Sequence, residues 1–332
     1  MPPIKGGTLF ERRLKSILQR LPQPVLSLIR VLTLPPVRVY FRYLPAHPGK
    51  GHVWRVTADN LWWLGSDVKT RTIFGDQMMV NTSERLGRSI YYFGIWEPNL
   101  TYYVLDHLQE GDVFIDVGAN VGYYSILAGK AVGETGGVVA IEAAPQTFEQ
   151  LCVNLKLNAI QNCRLLKLAA WNGPGEISFF AKADRSDVTS TANPELAQKW
   201  GNQREFKVPC APLSSALTAG EAAKARLIKI DVEGAEWRVL EGMSDMISQC
   251  RPDMEVVVEL AQEGLDAAGK KCDDVVDLFR RWGFRPYLLD NDYRPETYIQ
   301  QRRSRPRRVE RLTLDESHLA DVVFSRRQVD TL

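Results

Sequence analysis

The chain has 332 residues, 45% of them apolar and 25% charged, with a net charge of +2; that length buries one large core or two modest ones. Five dispersed cysteines without a Cys-x-x-Cys pair read as reduced thiols of a cytoplasmic protein, excluding a disulfide framework or a zinc site, and the four histidines are too scattered to suggest a metal centre. Residues 1–50 carry nine Lys or Arg and one acid, residues 302–311 carry six Arg and one acid, and the rest holds 27 basic against 38 acidic residues; two basic segments thus flank an acidic body, which disfavours a nucleic-acid binder with a basic folded face.

At the N-terminus, Leu9, Phe10, Leu14, Ile17, Leu18 and Leu21 recur at helical spacing, with Arg12, Arg13, Lys15 and Arg20 between them. The pattern fits a helix packed on the body or on a partner, or an interfacial helix on an anionic membrane surface. Arg20, Pro22, Pro24, Arg30 and the Pro35-Pro36 pair interrupt the apolar runs, so no uninterrupted span approaches the roughly 20 residues that cross a bilayer. No small-residue cleavage site follows a compact apolar stretch. Residues 1–50 are therefore expected to form a basic, partly helical extension, with peripheral contact with an anionic membrane as one role. The expected location is cytoplasmic, at most peripheral at the membrane.

Residues 51–100 read as a β-rich lead-in. "VWRVTA", "TRTIF" and "QMMVNT" have strand composition, with "FGDQM" as a turn between the last two. "YYFGIWEPN" closes the segment, and the aromatic pairs Trp62-Trp63 and Tyr91-Tyr92 read as packing.

From 101 to 328 helices and strands alternate, the signature of a parallel sheet with crossover helices. A helix near Thr101–Gln109 leads to strand "VFIDVG", a helix after Asn120, strand "VVAIEA", a helix near Gln146–Asn158 and strand "CRLLKLAAW". "GEISFFA" and "EFKVPCAPL" look like an inserted pair of strands. "RLIKIDVEG" and "MEVVVEL" are further core strands, a helix carrying Val275, Val276 and Phe279 stops at Gly283, and "FRPYLLD" and "ADVVFSR" finish the chain. The expectation is an α/β, doubly wound sheet of about seven strands whose parallel members end on one edge.

The turn after the first of these strands, Gly118-Ala119-Asn120-Val121-Gly122, brings backbone close to something bound there. A dinucleotide's pyrophosphate would call for G-x-G-x-x-G, and the middle glycine is missing. Asp116, Glu142, Asp231, Glu233 and Glu236 also crowd the same expected edge, where they repel a pyrophosphate and attract a cation. S-adenosylmethionine offers a sulfonium, an α-ammonium and a ribose diol that one carboxylate can hold. Charge thus favours a methyl donor over NAD. An NAD-dependent oxidoreductase or epimerase, or a non-catalytic membrane-associated protein on the same fold, remains an alternative.

"GDVFIDVGANVGYYSILAGKAVGETGGVVAIEAAPQTFEQLCVNLKLN" followed by "KIDVEGAEWRVLEGM" resembles the FkbM family of S-adenosylmethionine-dependent methyltransferases, and "FGIWEPN" is similar to the segment that precedes that family's core. The resemblance covers roughly Tyr91 to Leu260. It implies a class I methyltransferase (Rossmann-like) fold, mostly parallel with an antiparallel last strand, and methyl transfer to a hydroxyl of a sugar, a lipid-linked glycan or a secondary metabolite. It places Asp116, Gly118, Asn120, Gly122 and Tyr123 around the methionine part of the donor, Glu142 on the ribose, Ala169 and Ala170 near the adenine, and Glu97 closing the donor site. Asp231 and Glu233 would sit near the transferring methyl.

An alcohol is a weak nucleophile, so a base should help remove its proton. Asp231 and Glu259 end neighbouring strands of this fold and are the expected base or orienting groups, with a metal held between them a second possibility. The Arg-rich connection before the last strand would emerge at the same edge. Arg305, Arg307 and Arg308 are there either a solvated loop or a clamp for an anionic acceptor.

Overall fold

The computed structural model describes residues 21–44, 49–56, 65–181, 190–291, 293–300, 303–312 and 319–332. The chain divides into two compact units, Met1–Pro98 with Asp292–Arg302, and Asn99–Asn291 with Arg303–Leu332. Apart from Leu21, the helix expected over residues 9–21 lies outside the described residues, as does the pair Trp62-Trp63.

In the first unit, a helix spans Gln23–Tyr43 and runs through Pro35 and Pro36. Two missing N–H groups cost the helix hydrogen bonds, but packing compensates. Leu26, Leu34 and Phe41 are buried along one side of it. Arg42 donates to the carbonyls of Thr72 (3.1 Å) and Ile90 (3.4 Å). The expectation that the prolines interrupt this stretch is therefore corrected: Pro24–Tyr43 is a helix long and apolar enough, by length and composition, to cross a membrane.

"VWRVTA" is also corrected, because its first residues lie in the helix Lys50–Val56. There Trp54 packs edge-on to Phe41 at 5.3 Å and tilts against Phe93 at 4.7 Å, and tertiary packing overrides the β-branched composition. Strands β1 (Asp67–Arg71) and β2 (Gln77–Asn81) form an antiparallel hairpin, which corrects "TRTIF": only Thr70 and Arg71 are in β1, and Thr72–Phe74 belong to the turn. Within the expected β-rich segment, Arg85–Phe93 is a helix. The returning segment contributes the helix Pro295–Gln300, whose Tyr298 stacks on Phe93 at 5.2 Å.

In the second unit the strands are β3 (Val113–Val117), β4 (Gly137–Ile141), β5 (Cys163–Leu166), β6 (Ala169–Ala170), β7 (Gly175–Ala181), β8 (Arg204–Ala211), β9 (Ala225–Ile230), β10 (Glu255–Ala261), β11 (Arg285–Leu289), β12 (Arg307–Arg308) and β13 (Leu319–Ser325). The main sheet has the order β12-β11-β13-β10-β9-β3-β4-β5. β3, β4, β5, β9 and β10 are parallel, while β13 runs antiparallel between β10 and β11. This is the expected class I methyltransferase fold, mostly parallel with an antiparallel last strand. It is widened to eight strands by the two-residue β12, which pairs with β11.

Every residue of β3 and of β9 is buried, as parallel strands covered on both faces must be. "CRLLKLAAW" does not remain one strand. Its second half, β6, leaves the main sheet and pairs with β8, which pairs with β7 in a separate three-stranded sheet. The inserted strands "GEISFFA" and "EFKVPCAPL" are thus a small second sheet.

Candidate active site

The parallel strands β3, β4 and β9 end at one open cleft. The turn after β3 is the floor. The N–H groups of Gly118 and Ala119 both donate to the carbonyl of Ile141 at 2.9 Å, and the N–H of Asp231 donates to the carbonyl of Val117 at 3.0 Å. These bonds bring the ends of three strands together.

Gly118 has φ +79°, and a Cβ there would stand 1.8 Å from the carbonyl oxygen of Asp231. No side chain fits. Gly122, at φ +89°, meets instead the Leu151 side chain at 2.5 Å. It serves helix packing and is not among the residues lining the cleft.

Glu142, buried at the end of β4, is held in place by the chain around it. Its Oε2 accepts the N–H of Asn120 (2.9 Å) and its Oε1 the N–H of Ala144 (2.8 Å). Asn120 supplies that bond from a left-handed backbone, φ +49°, stabilised by its own Oδ1 accepting the N–H of Val121. Burial pushes the Glu142 carboxyl up to about 7, against the pull of the two backbone N–H groups.

On β9, Lys229 and Asp231 share a face because they are two residues apart. Lys229 is 4% exposed, and its Nζ donates to Asp231 Oδ2 at 2.8 Å while lying 5.1 Å above the Tyr124 ring. The Asp231 side chain keeps a quarter of its surface open and lines the cleft. Glu233 (φ +53°) lines it too, and its carbonyl accepts the Thr191 hydroxyl at 2.8 Å.

The expected residues therefore separate. Gly118, Asn120, Glu142, Ala169, Ala170, Asp231 and Glu233 line the cleft. Asp116 does not: strand alternation turns it to the helix behind β3, where it is 1% exposed and accepts the Ser125 hydroxyl at 2.6 Å. Tyr123 is core, accepting the Thr101 hydroxyl at 3.1 Å. Glu259 follows Val258, whose β9 partner is Ile230, so it stands beside Asp231 in register, yet it is outside the cleft lining. Glu97 belongs to the first unit, buried, with φ +39° and its Oε1 accepting the Tyr293 hydroxyl at 2.8 Å.

Arg305, Arg307 and Arg308 are outside the lining as well. The β12 that holds Arg307 and Arg308 is four strand positions from β9, roughly 19 Å at about 4.8 Å per strand. Arg307 approaches Asp290 at 3.4 Å, and Arg308 pairs with Glu310 at 3.0 Å. What sequence reading missed is the wall. Trp171 follows β6, Phe179 comes from β7 and Ser190 from the chain after it, all residues of the inserted sheet region, which has no motif. Lys229 had a signal, its i, i+2 spacing from Asp231.

Among the described residues the lining contains three carboxylates and no Lys or Arg. Such a site suits a cation and repels a pyrophosphate. Glu142 offers its remaining lone pairs to a diol, and Trp171 and Phe179 offer a flat apolar wall to a base. These groups fit S-adenosylmethionine.

Glu236, behind the Asp231–Gly234 loop, is 3% exposed. Its Oε1 accepts the Gly234 N–H at 3.0 Å, and its Oε2 has no hydrogen-bond partner among the described residues. Burial, helped by the nearby Asp231, pushes this carboxyl up to about 7. A carboxyl that prefers its proton in the fold stabilises the fold at low pH. That contribution fades as pH rises from the unfolded value, about 4.3, through about 7. Glu236→Gln keeps the acceptor for Gly234 and removes the titration. Its urea midpoint is expected to gain on wild type between pH 5 and pH 8, and a difference independent of pH would refute this assignment.

Residues 116–286, just over half of the chain, match the methyltransferase FkbM domain model. Hexuronic acid methyltransferase AglP of Haloferax volcanii is 26% identical over 151 residues, 46% of this chain and 58% of that protein, so the chain spans less than two thirds of that relative. Methyltransferase 1 of Beauveria bassiana is 28% identical over 197 residues, 54% of this chain and 75% of that protein. Among solved structures, a SAM dependent methyltransferase from Aquifex aeolicus is 12% identical, with a TM-score of 0.38 over 69% of this chain and 89% of that one. The chain belongs to the methyltransferase FkbM domain family.

Proposed function

We propose that the protein methylates a hydroxyl oxygen of a sugar, free or within a glycan. The observation that carries this reading is the Asp231 carboxylate, fixed by buried Lys229 and open to the same cleft as Glu142. The similarity to a hexuronic acid methyltransferase supports a carbohydrate acceptor.

The bound donor supplies an electrophilic methyl carbon on a sulfonium, which leaves as a neutral thioether. Glu142 would hold the ribose diol of the donor, and Asp231 lines the same cleft. Asp231 accepts a hydrogen bond from the acceptor hydroxyl and turns an oxygen lone pair towards the methyl. As the carbon–oxygen bond forms, the hydroxyl proton passes to the Asp231 carboxylate and then to solvent through the open mouth. Alignment of this kind contributes about 7–11 kcal/mol in favourable systems, and the proton acceptor about 10²–10⁴ in rate.

Calorimetry with S-adenosylmethionine and with NAD, followed by labelled methyl transfer to uronic acid glycosides, tests the reading. The donor is expected to bind and NAD not to. Glu142→Ala is expected to weaken the donor about tenfold or more, since it removes charge-assisted hydrogen bonds to the diol. NAD binding, or transfer confined to nitrogen acceptors, would sink the proposal.

A further inference from the structure

Ten large apolar residues are exposed among the described residues, and eight of them belong to the first unit. They do not scatter. Val25, Leu28, Leu32, Val39 and Tyr43 follow one another at steps of three, four or seven along the helix Gln23–Tyr43, one stripe on one face. Leu28, Leu32, Val39 and Tyr43 are 58%, 64%, 53% and 68% exposed. Ile73 and Phe74, also exposed, form the tip of the β1–β2 hairpin. Arg42 of the helix donates to the carbonyl of Thr72 beside that tip, so stripe and tip adjoin within this unit.

Leu26, Leu34 and Phe41 turn inward, as in any surface helix, but the side left to water carries apolar side chains where charge is usual. Arg38 and Arg42 are held against the protein. Arg38 donates to the Thr70 hydroxyl at 3.0 Å and lies 4.7 Å above the Tyr91 ring, and Arg42 is bonded to two carbonyls. The five residues of the stripe face out. At about 1.5 Å per residue the helix is roughly 30 Å long, and its mean hydropathy is 1.3. A contiguous apolar surface of this kind marks an interaction site.

Charge identifies the occupant. From Arg12 to Ala58 the sequence contains nine Lys or Arg and no acidic residue; Arg38, Arg42 and Lys50 are bonded inward, which leaves six of the nine for a surface. A protein partner of mixed charge does not require that bias, whereas an anionic bilayer rewards it along the whole segment. We infer that the outward face of the helix Gln23–Tyr43, with the Ile73-Phe74 tip, lies in the interface of an anionic lipid bilayer, its apolar stripe among the acyl chains. The contact is monotopic, because Arg38 and Arg42 tie the helix to the soluble unit. The inference is independent of the acceptor assigned above.

Flotation of the full chain with phosphatidylcholine vesicles, with and without one quarter phosphatidylglycerol, tests it. Wild type is expected to float with the anionic vesicles and only weakly with the neutral ones. Leu28→Glu/Leu32→Glu, at positions already open to solvent, should lower binding about tenfold or more, and Phe74→Asp several-fold, each with unchanged donor affinity as proof of folding. Salt should weaken but not abolish the binding. The inference is overturned if wild type does not float, if the variants float like wild type, or if the same substitutions instead dissociate a dimer that ignores vesicles, which would make a second copy the occupant.

Discussion

Asp231→Asn is expected to lower turnover by about 10³-fold, near the middle of the range for a lost proton acceptor, while the donor dissociation constant changes by less than about threefold. The amide preserves shape and can still accept a bond from Lys229. It cannot take the proton that leaves the acceptor hydroxyl. A complication is built into the site, since the substitution takes from the Lys229 ammonium, 4% exposed, one of its two acidic neighbours, Asp116 being the other. The lost ion pair lowers stability, and the loss of activity would then resemble a loss of fold. The double variant Lys229→Met/Asp231→Asn separates the two. Removing both charges is expected to recover part of the urea midpoint, Asp116 losing its cation in exchange, and to leave turnover abolished. Recovery of turnover in the double variant would remove Asp231 from the chemistry and leave it as the counter-ion of Lys229.

Gly118→Ala is expected to abolish measurable donor binding, a loss of at least about 100-fold, and to destabilise the fold. Two independent obstacles meet there. The backbone has φ +79°, and the new Cβ falls 1.8 Å from the Asp231 carbonyl, which belongs to rigid backbone and has no rotamer to escape by. A left-handed conformation alone costs about 1–2 kcal/mol; the clash forces β3 and β9 apart at the point where they form the cleft. Gly122→Ala is the matched control, since its Cβ meets only the tip of Leu151 at 2.5 Å. It should lower stability while donor affinity stays within about threefold, the hindered atom being the end of a side chain that can turn. Equal donor affinity in the two variants would show that the close approach at Gly118 has no part in binding.

Much of this site was legible because two of its motifs are local. The turn from Gly118 to Gly122 and the run from Lys229 to Glu236 each fix their own geometry over a few residues, and parallel topology alone brings their ends together. Alternation along a strand was the finer signal, and its use was incomplete. Asp116 lies in β3 between Ile115 and Val117, both members of the main core cluster, so it faces the opposite side, towards Ser125. Val117, one residue further, lines the cleft in its place.

Long-range contacts decided the rest. Trp171 and Phe179 reach the cleft because β6 pairs with β8 rather than continuing β5, a partnership between residues forty apart that no local pattern encodes. "VWRV" became helical because Trp54 found Phe41, Tyr92 and Phe93. The helix through Pro35-Pro36 persisted for the same kind of reason: Leu34 and Phe41 bury on one side, and Arg38 and Arg42 find acceptors from residues 70 to 90.

The return of residues 292–302 to the first unit governs the order in which the chain can fold during synthesis. Tyr298 stacks on Phe93 and is buried, but the ribosome delivers it about two hundred residues later. At about 5–20 residues per second the first unit waits on the order of ten seconds or more with that surface open. By then the strands from β3 to β10 have emerged and can pair. The N-terminal part of this protein is thus completed only after most of the second unit has emerged, and a fragment begun at residue 99 would carry the helix Pro295–Gln300 with nothing to receive it.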